Sequence, residues 1–315
     1  MSCEVHHIVP SKGYPCSVDS CLTLSQFAEN STSYVDSNTT LFITRGSHHL
    51  DKRISLSNTS VFLMLSINTT DSTPVINCSE HINFTFSNIT SIFIGGLEFT
   101  GCSGNKIEFA NQLTIKYSVF HGVKGGETSL TIVKSKATMT AVSFLSNTMG
   151  TYLSNIRPAM PAILNYSEPL SASATVGGAL IVTHSNLTII NCQFEENEAN
   201  IGGAIFSELE SHITISNSDF TSNHATGCDN DLCFGGAMFI DGTTTVIVHN
   251  STFQNNTSDQ DGGVAVVFNA TLIVSQSSYA YNNTATRYGG TVSAFQDSIL
   301  TFKTTTFNNN KVYKS

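Results

Sequence analysis

"FGGAMFIDG" (234–242) decides the fold because it is one of five such phrases. "VGGALI" stands at 176–181, "IGGAIF" at 201–206, "DGGVAV" at 261–266 and "YGGTVS" at 288–293. Each Gly-Gly pair leads through a polar gap and an alternating L-x-I/V phrase to an aromatic residue, with Asn three positions further on. The aromatic and Asn pairs are Phe194 and Asn197, Phe220 and Asn223, Phe253 and Asn256, Tyr279 and Asn282, and Phe307 and Asn310. The first glycine precedes the aromatic by 17 or 18 residues every time, and the Gly-Gly pairs are 25, 33, 27 and 27 residues apart. A fixed period in the twenties means a solenoid, in which each unit buries its apolar face only by stacking on the next.

The unit is built of strands. At seven and five residues before each aromatic stand Leu187 and Ile189, Ile213 and Ile215, Val246 and Val248, Leu272 and Val274, and Leu300 and Phe302. Alternation with period two over a short run marks a strand with one face buried. Stacked units of this kind pair strand on strand in parallel. The expected fold is therefore all-β, a right-handed parallel β-helix. The phrase recurs upstream at Phe99, Phe120 and Phe144, the last followed by Asn147. Coils are expected from about residue 41 to 315, roughly ten in number at ~4.8 Å each. Residues 1–40 form a short cap bearing a disulfide. Residues 148–175, with Pro158, Pro161 and Pro169, are expected to loop out of the stack, as are residues 224–234.

These assignments give each repeated residue a job. Gly-Gly marks a corner, where positive φ or the absence of Cβ is needed. The aromatics Phe144, Phe194, Phe220, Phe253, Tyr279 and Phe307 form an internal stack. Asn147, Asn197, Asn223, Asn256, Asn282 and Asn310 form a ladder of amides that satisfy one another and the backbone at the turn.

Composition bears on location. The net charge of −9 argues against an electrostatic nucleic-acid binder. No run of 18 apolar residues is present, so the chain is expected to have no transmembrane segment. Fourteen N-x-S/T sequons occur, where the composition would give about seven by chance. Asn30, Asn38, Asn58, Asn68, Asn165, Asn186, Asn250, Asn255 and Asn269 are the expected glycan acceptors. Asn256 and Asn282, held in the ladder, are not. The eight cysteines suggest disulfides and an oxidising compartment. Cys16 with Cys21 and Cys228 with Cys233 close short loops. Cys78 and Cys102, one coil apart, could staple neighbouring coils. Cys192 is expected to be a buried free thiol. An extracellular or cell-surface location follows, with a signal peptide and further sequence expected outside this chain.

The G-G-A-[ILMV] and F-x-x-N pair resembles the repeat of bacterial polymorphic outer-membrane proteins. "GGALIV…FEEN", "GGAIFS…FTSN" and "GGAMFI…FQNN" match most closely, and the resemblance covers about residues 176–310. It implies a β-helical passenger and adhesion, and it supplies no catalytic residues. The stretch "CLTLSQFAENSTSYVDSNTTLFITRGSHHL" (21–50) resembles the opening of large animal extracellular β-helix proteins, which implies a cap on the first coils.

Chemistry on this fold would need clustered carboxylates on one face. The acidic pairs Asp229/Asp231 and Asp259/Asp261 are local turn residues, so no catalytic site and no cofactor are expected. "HATGCDNDLC" (224–233) offers His224 and two acids beside Cys228 and Cys233, but its C-x4-C spacing is not that of a zinc site. The expected function is binding, as an adhesion or scaffold module with a protein or glycan partner. A polysaccharide lyase or hydrolase on the same fold, and a plain structural spacer, are the alternatives.

Overall fold

A computed structural model describes residues 3–9, 21–31, 38–66, 73–79, 81–124, 127–148, 175–227 and 233–313. The described chain winds through four parallel sheets of twelve, ten, nine and five strands. One coil shows the path. Asn186–Ile190 lies in the first sheet, Gln193–Glu195 in the second, Glu198–Ala199 in the fourth and Ile205–Glu208 in the third. His212–Ser216 then returns to the first sheet, directly on Asn186–Ile190 and in parallel with it. Ten first-sheet strands follow one another from Asn38–Ile43 to Ile299–Phe302. The chain is a parallel β-helix.

Alternation sets which residues enter the core. In His212–Ser216, Ile213 and Ile215 are buried and their neighbours face outward. The third sheet differs, because Ile205–Glu208 and Ala265–Phe268 are buried on both faces. Its outward residues Ile181, Phe206, Phe239 and Val266 pack under a lip formed by Val176, Ile201 and Phe234, a second small core outside the coil. The lip residues stand immediately before the Gly-Gly pairs and stack on one another from coil to coil.

The lip explains why two glycines are needed. Gly202 has φ +64°, and a Cβ there would lie 2.3 Å from the carbonyl oxygen of Ile205. A Cβ on Gly203 would lie 2.2 Å from the carbonyl oxygen of Gly236 in the next coil. The first glycine lets the chain fold back over its own strand, and the second lets neighbouring coils touch.

The asparagine ladder is continuous. The Nδ2 of Asn147 donates to Oδ1 of Asn197, Asn197 to Asn223, and Asn223 to Asn256, each at 2.9 Å. Each Nδ2 also donates to the carbonyl of an aromatic one coil back, as Asn223 does to Phe194 at 2.9 Å. Each Oδ1 also accepts a backbone N–H, as Asn223 does from Asn197 at 3.1 Å. Asn147 and Asn197 are 50 residues apart in sequence yet adjacent rungs, so the ladder runs on unbroken past the inserted residues 149–174. Phe99, Phe120, Phe144, Phe194, Phe220 and Phe253 stack face to face with centroids 4.6–5.1 Å apart.

One coil departs from the expected pattern. The ladder continues from Asn256 to Asn283, not Asn282, and from Asn283 to Asn310. Ala280, not Tyr279, sits opposite Phe253. Gln276 and Ser277 both take positive φ, where the preceding coil uses Asn250 alone at the same corner. The extra corner residue shifts everything after it by one. Tyr279 is consequently 49% exposed, and Asn282 faces outward. Phe307 holds the next aromatic position but is 46% exposed in the last described coil.

The cap is partly helical. Leu24–Glu29 forms a helix whose N-cap Thr23 and Gln26 make a reciprocal capping box. It buries Leu24, Phe27 and Ala28 against the first coil. The cap and the coils share a sheet, since Cys3–Ile8 pairs with Asn38–Ile43; the 40/41 boundary falls inside that second strand.

Candidate functional site

The described residues that flank both expected excursions lie at one corner, between the fourth sheet and the Gly-Gly lip. The described chain breaks after Thr148, which bridges Glu198, and resumes at Thr175, beside the lip residue Val176. It breaks again after Gly227 and resumes at Cys233, beside the lip residue Phe234. The intact corner Glu198–Ile201 lies between them, so the two roots are two coils, or about 10 Å, apart.

The second excursion is shorter than expected. His224–Ala225 is a fourth-sheet strand paired with Glu198–Ala199, and Cys233 and Phe234 are buried. Of 224–234, only residues 228–232 lie outside the described residues. The likeness of His224 and Ala225 to the neighbouring coils was obscured by the Cys-flanked acidic run that follows them.

Asn200 ties the two roots together. Its Oδ1 accepts from Thr175 N at 2.7 Å and from Thr175 Oγ1 at 2.9 Å. Its Nδ2 donates to the carbonyls of Thr226 at 2.7 Å and Gly227 at 2.9 Å. Asp259, one coil further, accepts from Thr226 Oγ1 at 2.5 Å and lies 3.1 Å from His224 Nε2. Ser258 donates to the carbonyl of Cys233 at 3.1 Å. Loops rooted this firmly on a rigid wall suit recognition. Asn200 was not singled out in the sequence. Its signal was available: an amide two residues before the Gly-Gly pair, in the one uninterrupted corner between two excursions. Asp229, Asp231 and Cys228 lie outside the described residues. Asp259 belongs to this root, whereas Asp261 is wholly buried and bonded by Arg287 through Nε at 2.9 Å and Nη2 at 2.6 Å. The two acids of that pair therefore do not act together.

A different pair of carboxylates does come together. Glu208 and Asp241 follow the paired residues Ser207 and Ile240, and so occupy one slot of adjacent coils on the outer side of the third sheet. They are 4% and 6% exposed. Burial, aided by the Asp241 charge, pushes the Glu208 carboxyl up to about 7. Burial likewise pushes Asp241 up to about 6, against a backbone hydrogen bond from Gly242 that lowers it. The sequence reading missed this pair because the two residues are 33 positions apart and the second excursion hides their equivalence. Among the described residues, no group of three His, Cys, Asp or Glu side chains is placed to hold a metal ion.

The cysteine expectations divide. Cys78 and Cys102 form a disulfide between neighbouring coils, and Cys102 stands in the column that Asn147 and its successors continue. Cys21 and Cys233 are also in disulfides, while Cys16 and Cys228 lie outside the described residues. Cys192 is a buried free thiol whose ionisation is pushed up by burial. Among the expected glycan acceptors, Asn30, Asn58, Asn186, Asn250 and Asn255 are exposed, Asn38 and Asn269 are half-buried, and Asn68 and Asn165 lie outside the described residues. Asn256 is wholly buried in the ladder. Among the described residues no helix is long and apolar enough to cross a membrane.

No family model matches this chain, and no curated protein matches it. Among solved structures, ORF18 of Geobacillus virus E2 aligns at 9% identity with a TM-score of 0.36. That alignment covers 86% of this chain and 53% of the viral protein, so the chain spans about half its length.

Proposed function

We propose that this chain is a non-catalytic binding module, displayed at the cell surface or outside the cell, whose recognition surface is the corner carrying both excursions. The observation that supports this reading is the placement of the roots. Two excursions separated by more than fifty residues of sequence emerge side by side, pinned by Asn200 and Asp259. A solenoid that served only as a spacer would have no need of such pinning. The likeness of the repeats to the polymorphic outer-membrane proteins adds adhesion as the form the binding takes. Oxidised Cys21, Cys78, Cys102 and Cys233 fit an oxidising compartment.

The test replaces residues 229–232 with Gly-Ser-Gly-Ser, which keeps Cys228 and Cys233 in place. Attachment of the purified protein to cells is then compared with that of the parent. The expected result is loss of attachment with an unchanged melting temperature. Equal attachment would refute the reading.

The rival reading is a carbohydrate-active enzyme. The observation in its favour is the Glu208/Asp241 pair, since a carboxyl held near 7 suits general acid work. Release of new chain ends from polyuronides, abolished by Glu208→Gln, would favour it over binding.

A further inference from the structure

Charge is divided sharply along the rod. Residues 109–148 contain four lysines and one carboxylate, Glu127, whereas residues 176–286 contain eleven carboxylates and neither lysine nor arginine. In a chain of net charge −9, the first segment is a local reversal of sign.

The structure shows where the reversal lies. Gln112–Lys116 crosses the first sheet, with Thr114 and Lys116 facing outward. Phe109 and Tyr117 stand at the corners on either side of that strand. Both have positive φ, and they are 44% and 69% exposed. In the next coil Lys134 takes the corner equivalent to Phe109, with its Nζ 5.4 Å from that ring's centroid. Lys136 opens the neighbouring strand and is exposed. Lys116, Lys134 and Lys136 have no carboxylate partner among the described residues. The face from corner to corner is about 20 Å wide at ~3.3 Å per residue.

We propose that this face of the first sheet binds an anionic polysaccharide. Three unpaired ammonium groups supply charge complementarity to sulfate or carboxylate groups. The two exposed rings, one at each end, offer flat apolar surfaces to the C–H faces of sugars. A ligand lying along the strand Gln112–Lys116 meets Tyr117, Lys116, Thr114 and Phe109 in turn, with Lys134 and Lys136 beside it in the next coil. The same chemistry is less suited to a nucleic-acid duplex, whose dense charge would run along the acidic coils beyond. This site lies on a different sheet from the excursion corner and stands independently of it.

The test uses an Asn186→Gln background, because Asn186 pairs with Lys136 in the adjacent strand and carbohydrate there would crowd the face. Binding is measured to heparin, to polygalacturonate, to neutral dextran and to single-stranded DNA. The expected result is salt-sensitive binding to heparin or polygalacturonate, the stronger of the two identifying the anionic group, and none to dextran. Lys116→Gln, Lys134→Gln and Lys136→Gln together should weaken it by about tenfold, and Tyr117→Ala should weaken it further. Lys303→Gln with Lys311→Gln, at the far end of the rod, should leave it unchanged. Full binding by the triple variant would overturn the proposal. So would DNA binding at least as tight as glycan binding. Binding of neither heparin nor polygalacturonate by the Asn186→Gln protein would overturn this proposal, and would leave the excursion corner, which is read by cell attachment, untouched.

Discussion

The ladder amides are the residues on which the coil depends most individually. Asn223 makes two hydrogen bonds through Nδ2 and two through Oδ1, all inside the wall. Asn223→Leu would leave buried backbone groups without partners, at about 1–3 kcal/mol each. A fall in the denaturant midpoint without a change in slope is the expected outcome. The buried carboxylates act in the opposite sense. Folding raises Glu208 to about 7 and Asp241 to about 6, so the folded chain holds more protons than the unfolded chain between roughly pH 4 and pH 7. Their contribution is most favourable below that window and is lost as pH rises through 6 and 7. Glu208→Gln should therefore stabilise the protein at pH 8 by up to about 3 kcal/mol and little at pH 4. A difference between variant and parent that stays flat across that range would show that the pair is not buried as described. Glycan occupancy tests the one-residue shift near the end of the rod. Asn255 and Asn282 should carry glycans and Asn256 should not, read by glycopeptide mapping of protein from a eukaryotic secretory host. Full occupancy at Asn256 would break the ladder.

At the scale of the element, the corner is the unit that sequence reads best. The Gly-Gly pair, the aromatic and the asparagine are each forced by a local geometry, so each leaves a fixed letter at a fixed place. Gly203→Ala would push a methyl group to 2.2 Å from a carbonyl oxygen and should destabilise the rod by several kcal/mol, about the cost of overpacking a closed core. The Cys78–Cys102 bridge closes a 24-residue loop and should contribute about 3 kcal/mol, lost when both cysteines are replaced by Ser. What could not be read was whatever depends on which coils are neighbours. One extra corner residue at Ser277 moved Asn282 and Tyr279 out of their expected places, because a turn absorbs an insertion without changing the pattern around it. Glu208 and Asp241 met across an excursion whose length hid their equivalence. Asn200 went unnoticed because its partners, Thr175 and Thr226, are brought to it only by stacking. The lip was invisible for the same reason: Val176, Ile201 and Phe234 read as ordinary apolar residues before a glycine pair.

The described residues form a rod of stacked coils with an asparagine ladder and an aromatic stack inside, and its outer faces differ from one another. One corner bears the pinned residues Thr175, Thr226 and Gly227 that flank the two excursions, one face of the first sheet bears lysines and exposed rings, and the coils beyond are acidic. Repetition builds the scaffold, and departures from repetition mark the surfaces proposed for binding. The most direct test is attachment to cells by three folded proteins: the parent, the parent with 229–232 replaced by Gly-Ser-Gly-Ser, and Asn200→Ala, which frees the roots without touching either excursion. The account predicts strong attachment by the parent, none by the replacement, and weakened attachment by Asn200→Ala, all with a cooperative unfolding transition. Equal attachment by all three would contradict it.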